Sequence, residues 1–377
     1  MRVLICVTHL LGTGHLSRAL TLGRAFARQG HSVDLVSGGG GVANLDYSDV
    51  SLHQLPPVKS DGVNFTDLLD AENRPVNQEY LQDRVDILCR ILRDTAPDVL
   101  ITELFPFGRR ILAAEFTAML KTAHSLPRRP RVFCSIRDIL APPSKPEKVA
   151  QTGQRITQYY DAVLVHSDPE QTPLETSWPV TPALSAKLAY TGYVAPPVPD
   201  AHPLGTGAGE VLVTAGGGSV GEALFTVAVE AAKLDDRPWR LLVGGADAAQ
   251  QISRLQALAG AHTIIEPTRP DFRQMLHHAA AAVAMCGYNT AMDLLQTGTP
   301  AVFVPFDAGG EVEQGLRAQS LARHSQFAVV KTADLTPEAL LAGLSKVVRH
   351  DPPSRNHFDG ANEAVRIVTR VLESSID

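Results

Sequence analysis

The sequence holds only four cysteines, Cys6, Cys89, Cys134 and Cys286, and none forms a CxxC pair. That excludes a zinc ribbon or a disulfide framework, and three of the four sit in apolar runs as expected of buried reduced thiols. No uninterrupted stretch of about 18 apolar residues occurs, so no membrane span is expected. The opening MRVLICVTHLLGTGH breaks at Gly12 and lacks a small-residue cleavage site, so it reads as a buried strand rather than a signal segment. Positive charge is not in excess: the formal net charge is −6, which argues against a nucleic-acid partner. The first glycine turn, Gly12-Thr13-Gly14-His15, lacks the third glycine of G-x-G-x-x-G, which disfavours a Rossmann dinucleotide site, and the second, Gly216–Gly221, lacks the Gly-Lys-Ser/Thr of a Walker loop, which disfavours ATP hydrolysis of that type. No DxD-like pair stands at a strand end, and no metal or cofactor is expected.

What is present is a repeated α/β pattern. The 377 residues are 44% hydrophobic and 20% charged, which suits two globular domains. RVLICVT (2–8) is an apolar run, followed by a Gly-Thr-Gly-His turn, a helical pattern ending at Gly30, and HSVDLVS (31–37). This strand–turn–helix–strand order is a βαβ start. EVLVTAGGG from Glu210, SVGEALFTVAVEAAKL and WRLLVGG repeat it. Further strands are expected at 98–102, 131–136, 162–166, 263–266, 282–286 and 300–304. The fold class is therefore α/β, with two Rossmann-like, doubly wound parallel-sheet domains facing across a cleft. TGYVAPPVPDAHPLGTGAG (191–209) is rich in proline and glycine and reads as the connection. The expected divisions are 1–192, a linker at 193–209, 210–358, and a terminal helix within 359–377 that packs back on the first domain. Residues 56–80 read as a polar surface excursion.

In an open parallel sheet, ligands bind beyond the carboxyl ends of the strands, where both glycine turns fall. Gly14 leaves backbone accessible, and the helix after it presents unpaired N–H groups to an anion. His15, at that helix entrance, suits a general base, since a neutral imidazole can take a proton from an acceptor hydroxyl; the alternative is a structural histidine bonding the turn. Gly217, Gly218 and Ser219 suit a diphosphate. Gly287, Asn289 and Thr290 open another helix after a strand, and Asp293 either accepts ribose hydroxyls or complements the helix dipole. Glu313 and Gln314 side by side suit sugar hydroxyls, or form an ordinary polar first turn. Glu103 ends a strand as a second candidate carboxylate, and Arg18, Arg109 and Arg110 suit an anionic acceptor unless the last two merely start a solvated helix. Lys121, Arg128, Arg129, Arg131 and Arg137 suggest a locally basic first domain.

Taken in order, GTGHLSRALTLGRAF, TGYV, GGGSVGEA, CGYNTAMDLL with TGTPAVFVPF, and EVEQGLRA resemble glycosyltransferases of the GT-B fold. The likeness is to family 28, the peptidoglycan N-acetylglucosaminyltransferase-like family, and to an uncharacterised bacterial group sharing TELFPFGRR. It implies a cytoplasmic, inverting, metal-independent transferase, at most peripheral at the inner membrane face, moving a sugar from a UDP-sugar to an acceptor hydroxyl or amine that is anionic or lipid-linked. It places Gly14 and His15 at the catalytic turn, Gly218 and Ser219 on the diphosphate, and Thr290 at the second helix end. Asp293 takes the place of the family's ribose-binding glutamate, one methylene shorter. Glu313 and Gln314 fall on the donor sugar and Arg269 on the base-binding loop. GxGHxxR also resembles a UDP-sugar hydrolase, in which His15 would activate water. Hydrolysis, epimerisation or nucleotide-sugar binding without chemistry are the alternatives.

Overall fold

The structure is a computed structural model that describes residues 1–374 except 11–12, 43–44, 61–66, 217–219, 246 and 353–354. The chain forms two compact units, Met1–Val194 with Asp359–Asp377, and Ala195–Phe358.

The first unit carries strands β1 (Arg2–Val7), β2 (Ser32–Ser37), β3 (Ser51–Gln54), β4 (Val99–Glu103), β5 (Arg131–Arg137), β6 (Ala162–His166) and β7 (Leu188–Tyr190). They form one parallel sheet in the order β3-β2-β1-β4-β5-β6-β7. Helices α1 (Gly14–Arg28), α2 (Gln78–Thr95), α3 (Ala113–Ser125), α4 (Pro146–Tyr159) and the short α5 (Pro182–Ser185) connect them. β1, β4, β5 and β6 read as apolar runs because helices cover both faces, and two buried clusters result. On α1 the buried Leu16, Ala19, Leu20, Gly23 and Phe26 recur at helical spacing. Gly23 is needed for close approach: a Cβ there would lie 3.2 Å from Val50 and 3.4 Å from Val33.

The second unit repeats the plan. Strands β8 (Val211–Thr214), β9 (Trp239–Val243), β10 (Thr263–Pro267), β11 (Ala281–Ala284), β12 (Ala301–Phe303) and β13 (Phe327–Val329) form a parallel sheet in the order β10-β9-β8-β11-β12-β13. Its helices are α6 (Glu222–Ala232), α7 (Ala248–Leu258), the short α8 (Phe272–Met275), α9 (Tyr288–Thr297), α10 (Glu313–Leu321) and α11 (Pro337–Leu344). A buried cluster runs between β8, β9, β11, α6 and α11.

The chain then returns to the first unit as α12 (Gly360–Glu373), whose Ala361, Ala364, Val365 and Val368 join the α1 side of the core. Gly360 donates its N–H to the Tyr193 carbonyl at 3.0 Å. The proline-rich stretch read as a linker is largely fastened to the second unit: Arg273 donates to the Pro197 carbonyl, Gln296 to that of Pro196, and the His277 ring nitrogen lies 2.6 Å from that of Pro199. Three cations of the basic stretch of the first unit are ion-paired. Arg128 pairs with Asp98, and Arg129 and Arg131 pair with Asp161, partners distant in sequence. Among the described residues, no helix is long and apolar enough to cross a membrane.

Candidate functional site

Both sheets reverse their strand order once, between β1 and β4 in the first unit and between β8 and β11 in the second. Such a switch point leaves a crevice at the carboxyl ends of the two central strands. His15, Arg18 and Glu103 meet at the first of these places and Gly287, Asn289 and Thr290 follow β11 at the second, whereas Arg269 follows the edge strand β10 and Glu313 and Gln314 follow β12.

In the first unit, α1 begins at Gly14 and β4 ends at Glu103. Their side chains meet: His15 Nδ1 lies 3.0 Å from Glu103 Oε1. Arg18, one turn along α1, pairs with the same carboxylate oxygen, and Ser135 Oγ donates to Oε2 at 2.7 Å. Glu103 and Arg18 are buried, while His15 keeps partial exposure. Burial pushes the Glu103 carboxyl up. The Arg18 charge and then the His15 and Ser135 hydrogen bonds overcome this and hold it well below the usual carboxylate range. Burial also pushes the His15 imidazole down to about 4; Glu103 opposes that shift and the charges of Arg18 and Arg109 add to it.

An ionised carboxylate only accepts, so His15 donates Nδ1–H to Glu103. The Arg18 guanidinium, 3.1 Å from that nitrogen, is then not bonding to it but shares its carboxylate. The basic nitrogen of the ring is Nε2. The arrangement is a neutral imidazole with a fixed tautomer, poised to accept a proton and backed by a carboxylate that stabilises the resulting cation.

The TELFPFGRR segment after β4 is anchored firmly. Thr102 donates to the Phe105 carbonyl at 2.8 Å, and the Phe105 ring stacks on Phe116 with centroids 4.7 Å apart. Arg109, in the left-handed region at φ 57°, donates Nε–H to the Thr8 carbonyl at 2.5 Å. It is partly buried, and desolvation pushes its pKa down to about 10. Arg110 lies over Trp178 and donates to the Phe107 carbonyl. The two arginines do start a short 3-10 helix, Arg110–Leu112, but partial burial and these bonds make it less solvated than expected. Arg18 is placed as a partner of Glu103.

In the second unit, the glycine turn after β8 is bounded by Gly216 at φ 81° and Gly221 at φ 111°, conformations that favour glycine. Gly217, Gly218 and Ser219 lie outside the described residues. After β11, Gly287 caps α9, with Asn289 exposed and Thr290 partly buried in its first turn. Buried Arg317 supports that turn, donating to the Cys286 carbonyl at 3.0 Å and lying over the Tyr288 ring.

Asp293 is buried and accepts from Arg273 Nε at 2.6 Å. Burial pushes its carboxyl up, against the pull of Arg273. Sitting at the sixth residue of α9, it serves this ion pair rather than the helix dipole. Arg273 also donates to Gln296 at 2.8 Å. Neither Arg273 nor Gln296 was marked by the sequence, because each becomes meaningful only beside Asp293 in space. Gln314 accepts from the Phe306 N–H at 3.2 Å, and Glu311 accepts the N–H groups of Glu313 and Gln314, so the start of α10 is fixed. Arg269 is tied to Asp271 at 2.6 Å. Among the described residues no cluster of histidine, cysteine and carboxylate side chains suits a metal ion.

Residues 211–370 match the glycosyltransferase family 28 C-terminal domain. The UDP-N-acetylglucosamine–N-acetylmuramyl-(pentapeptide) pyrophosphoryl-undecaprenol N-acetylglucosamine transferase of Gluconobacter oxydans is 26% identical over 42% of this chain and 47% of its own length. The enzyme of that name from Rhizobium leguminosarum bv. trifolii is 29% identical over 51% of this chain and 50% of its own. The chain thus spans about half the length of these curated relatives. Among solved structures, Acinetobacter baumannii MurG superposes with a TM-score of 0.62 at 16% identity, covering 99% of this chain and 98% of that one. The calicheamicin glycosyltransferase CalG4 gives 0.61 at 15%, covering 99% and 97%. The chain therefore has the GT-B fold and, over residues 211–370, matches the glycosyltransferase family 28 C-terminal domain.

Proposed function

We propose that this protein is a glycosyltransferase that moves a sugar from a UDP-sugar to an acceptor hydroxyl or amine with inversion. The observation that carries the reading is the Glu103-oriented imidazole of His15 at the switch point of one sheet, in a chain whose other sheet matches the family 28 C-terminal domain. His15 Nε2 takes the acceptor proton as the acceptor attacks the anomeric carbon, and UDP departs from the opposite face. Glu103 is not the base in this reading: Arg18 keeps it ionised and it holds the His15 tautomer. The diphosphate falls to Gly217, Gly218, Ser219 and the α9 start at Gly287, Asn289 and Thr290. Amides at a helix N-terminus offset phosphate charge, so the step requires no metal or cofactor. Asp293 takes the ribose, Glu313 and Gln314 the sugar, and Arg269 the base.

The names of the curated relatives support a lipid-linked, pyrophosphoryl acceptor, and Arg109 beside the dyad is the cation that suits one. Such an acceptor would be met at the cytoplasmic membrane face. The test is UDP release by the full chain with a panel of UDP-sugars, with and without acceptors. Acceptor-dependent release, abolished in His15→Ala with UDP affinity retained, is expected. Full activity of His15→Ala would refute the role of the imidazole, and release indifferent to every acceptor would assign hydrolysis instead.

A further inference from the structure

The Glu103 carboxylate is the end of a longer buried chain. Ser135 on β5 lies directly across from Glu103 on β4 in the sheet register. Behind it, His166 at the end of β6 places Nε2 at 2.9 Å from Ser135 Oγ, and its Nδ1 lies 2.8 Å from Thr191 Oγ1, just after β7. Glu103, Ser135, His166 and Thr191 are 2%, 1%, 0% and 3% exposed, so no bulk water completes their hydrogen bonding.

The protons can be counted. Ser135 has one, and the ionised Glu103 can only accept, so Ser135 gives it to Oε2. His166 must then donate Nε2–H to the Ser135 oxygen. Burial pushes this imidazole down to about 3, so it is neutral and its Nδ1 carries no proton. Thr191 therefore gives its hydroxyl proton to Nδ1, although the Gly192 carbonyl is also 2.8 Å away. Every bond in the chain points toward Glu103. The charged groups that act on it are Arg18, which pairs with Oε1 rather than the Oε2 that Ser135 meets, and Arg109; the neutral His15 also sits on Oε1. Apolar side chains would fill the same volume without desolvating three polar groups, so the row costs stability unless it does something else.

We infer that Ser135, His166 and Thr191 are positioning residues that fix the orientation of Glu103, and through it the Nδ1–H tautomer of His15. The inference rests on the reading of His15 as the base, but its geometric part can be tested apart from catalysis. In protein labelled with nitrogen-15 histidine, long-range proton–nitrogen spectra report which ring nitrogen of each histidine is protonated. His166 is expected as the Nε2–H tautomer and His15 as Nδ1–H. Ser135→Ala should mix the His15 tautomers and lower kcat about tenfold, part of the roughly 10²–10⁴-fold that general-base catalysis contributes. KM for the donor should not change. Ser135→Thr, which keeps the hydroxyl, and His166→Gln, whose amide can still donate, should restore most of the rate and provide folded variants if Ser135→Ala does not fold. His166 found as Nδ1–H overturns the proposal. So do folded Ser135→Ala and His166→Phe variants with unchanged His15 resonances and unchanged kcat. If His15→Ala leaves the rate intact while Ser135→Ala still shifts the His15 tautomer, the positioning stands and the base assignment falls.

Discussion

Lowering the pH from 7 to 5 protonates His15 and His166 in the unfolded chain but not in the folded one. Both native pKa values are depressed, to about 4 and about 3, chiefly by burial. The ordinary imidazole value is about 6.5. Between the unfolded and folded values the unfolded state binds more protons, so stability rises with pH and is lost as pH falls below about 6.5. At pH 5 each ring titrates about 1.5 units past its unfolded value while staying mostly neutral in the fold, a loss of about 2 kcal/mol apiece. Together that is about 4 kcal/mol, a large share of the roughly 5–15 kcal/mol that holds a domain folded. His9, also lowered mainly by burial, acts in the same direction. Glu103 does not contribute in this window. Its depressed pKa gives stability that is lost only as pH falls below the unfolded carboxylate value of about 4.3. The two tryptophans allow the assay to be local: Trp178 lies in the first unit and Trp239 in the second. With Trp239→Phe, urea titrations followed by Trp178 fluorescence should show the midpoint falling between pH 7 and pH 5, and falling less in His166→Gln. A first-unit midpoint independent of pH over that range would refute the burial of neutral imidazoles.

Three further outcomes are expected. Glu115→Ala leaves buried Arg84 without its carboxylate, bonded only to the carbonyls of Gly38 and Pro56. It should cost about 3–5 kcal/mol in urea unfolding, and Arg84→Met with Glu115→Leu less than half of that. Gly298→Ala should destabilise the second unit by about 2 kcal/mol or more, read as a lower thermal midpoint, because Gly298 has φ 62° and a Cβ would lie 2.0 Å from the His350 carbonyl oxygen. Asp293→Ala should weaken UDP binding by roughly tenfold to a hundredfold in calorimetry, the value of a charged hydrogen bond. Unchanged affinity would leave Asp293 only its ion pair with Arg273.

The central strands were legible because they are apolar runs. β3, β7 and β13 were not, and all three are edge strands: β3 reads SLHQ and is largely exposed, while β7 and β13 span three residues each. A three-residue strand is too short to show a period, and an exposed polar one shows no apolar run. His15 and Glu103 could be read from their places at a helix start and a strand end. Ser135 and His166 could not, since RVFCSI and AVLVH register as apolar strands; the one available signal was a polar residue near the carboxyl end of each. Arg273 and the acids facing Arg128, Arg129 and Arg131 are recognisable only once the sheet has brought distant segments together.

The return of the chain through α12 changes how the molecule can be made. The second unit is, in effect, an insertion into the first, entered after Val194 and left at Asp359. During synthesis the surface of α1 and β1 that α12 covers stays bare until residues 360–373 emerge, after the entire inserted unit has been made. The inserted unit can close on itself as soon as it is complete, whereas the unit that starts first finishes last. For that interval the apolar side of α1 is the surface that needs protection from other chains.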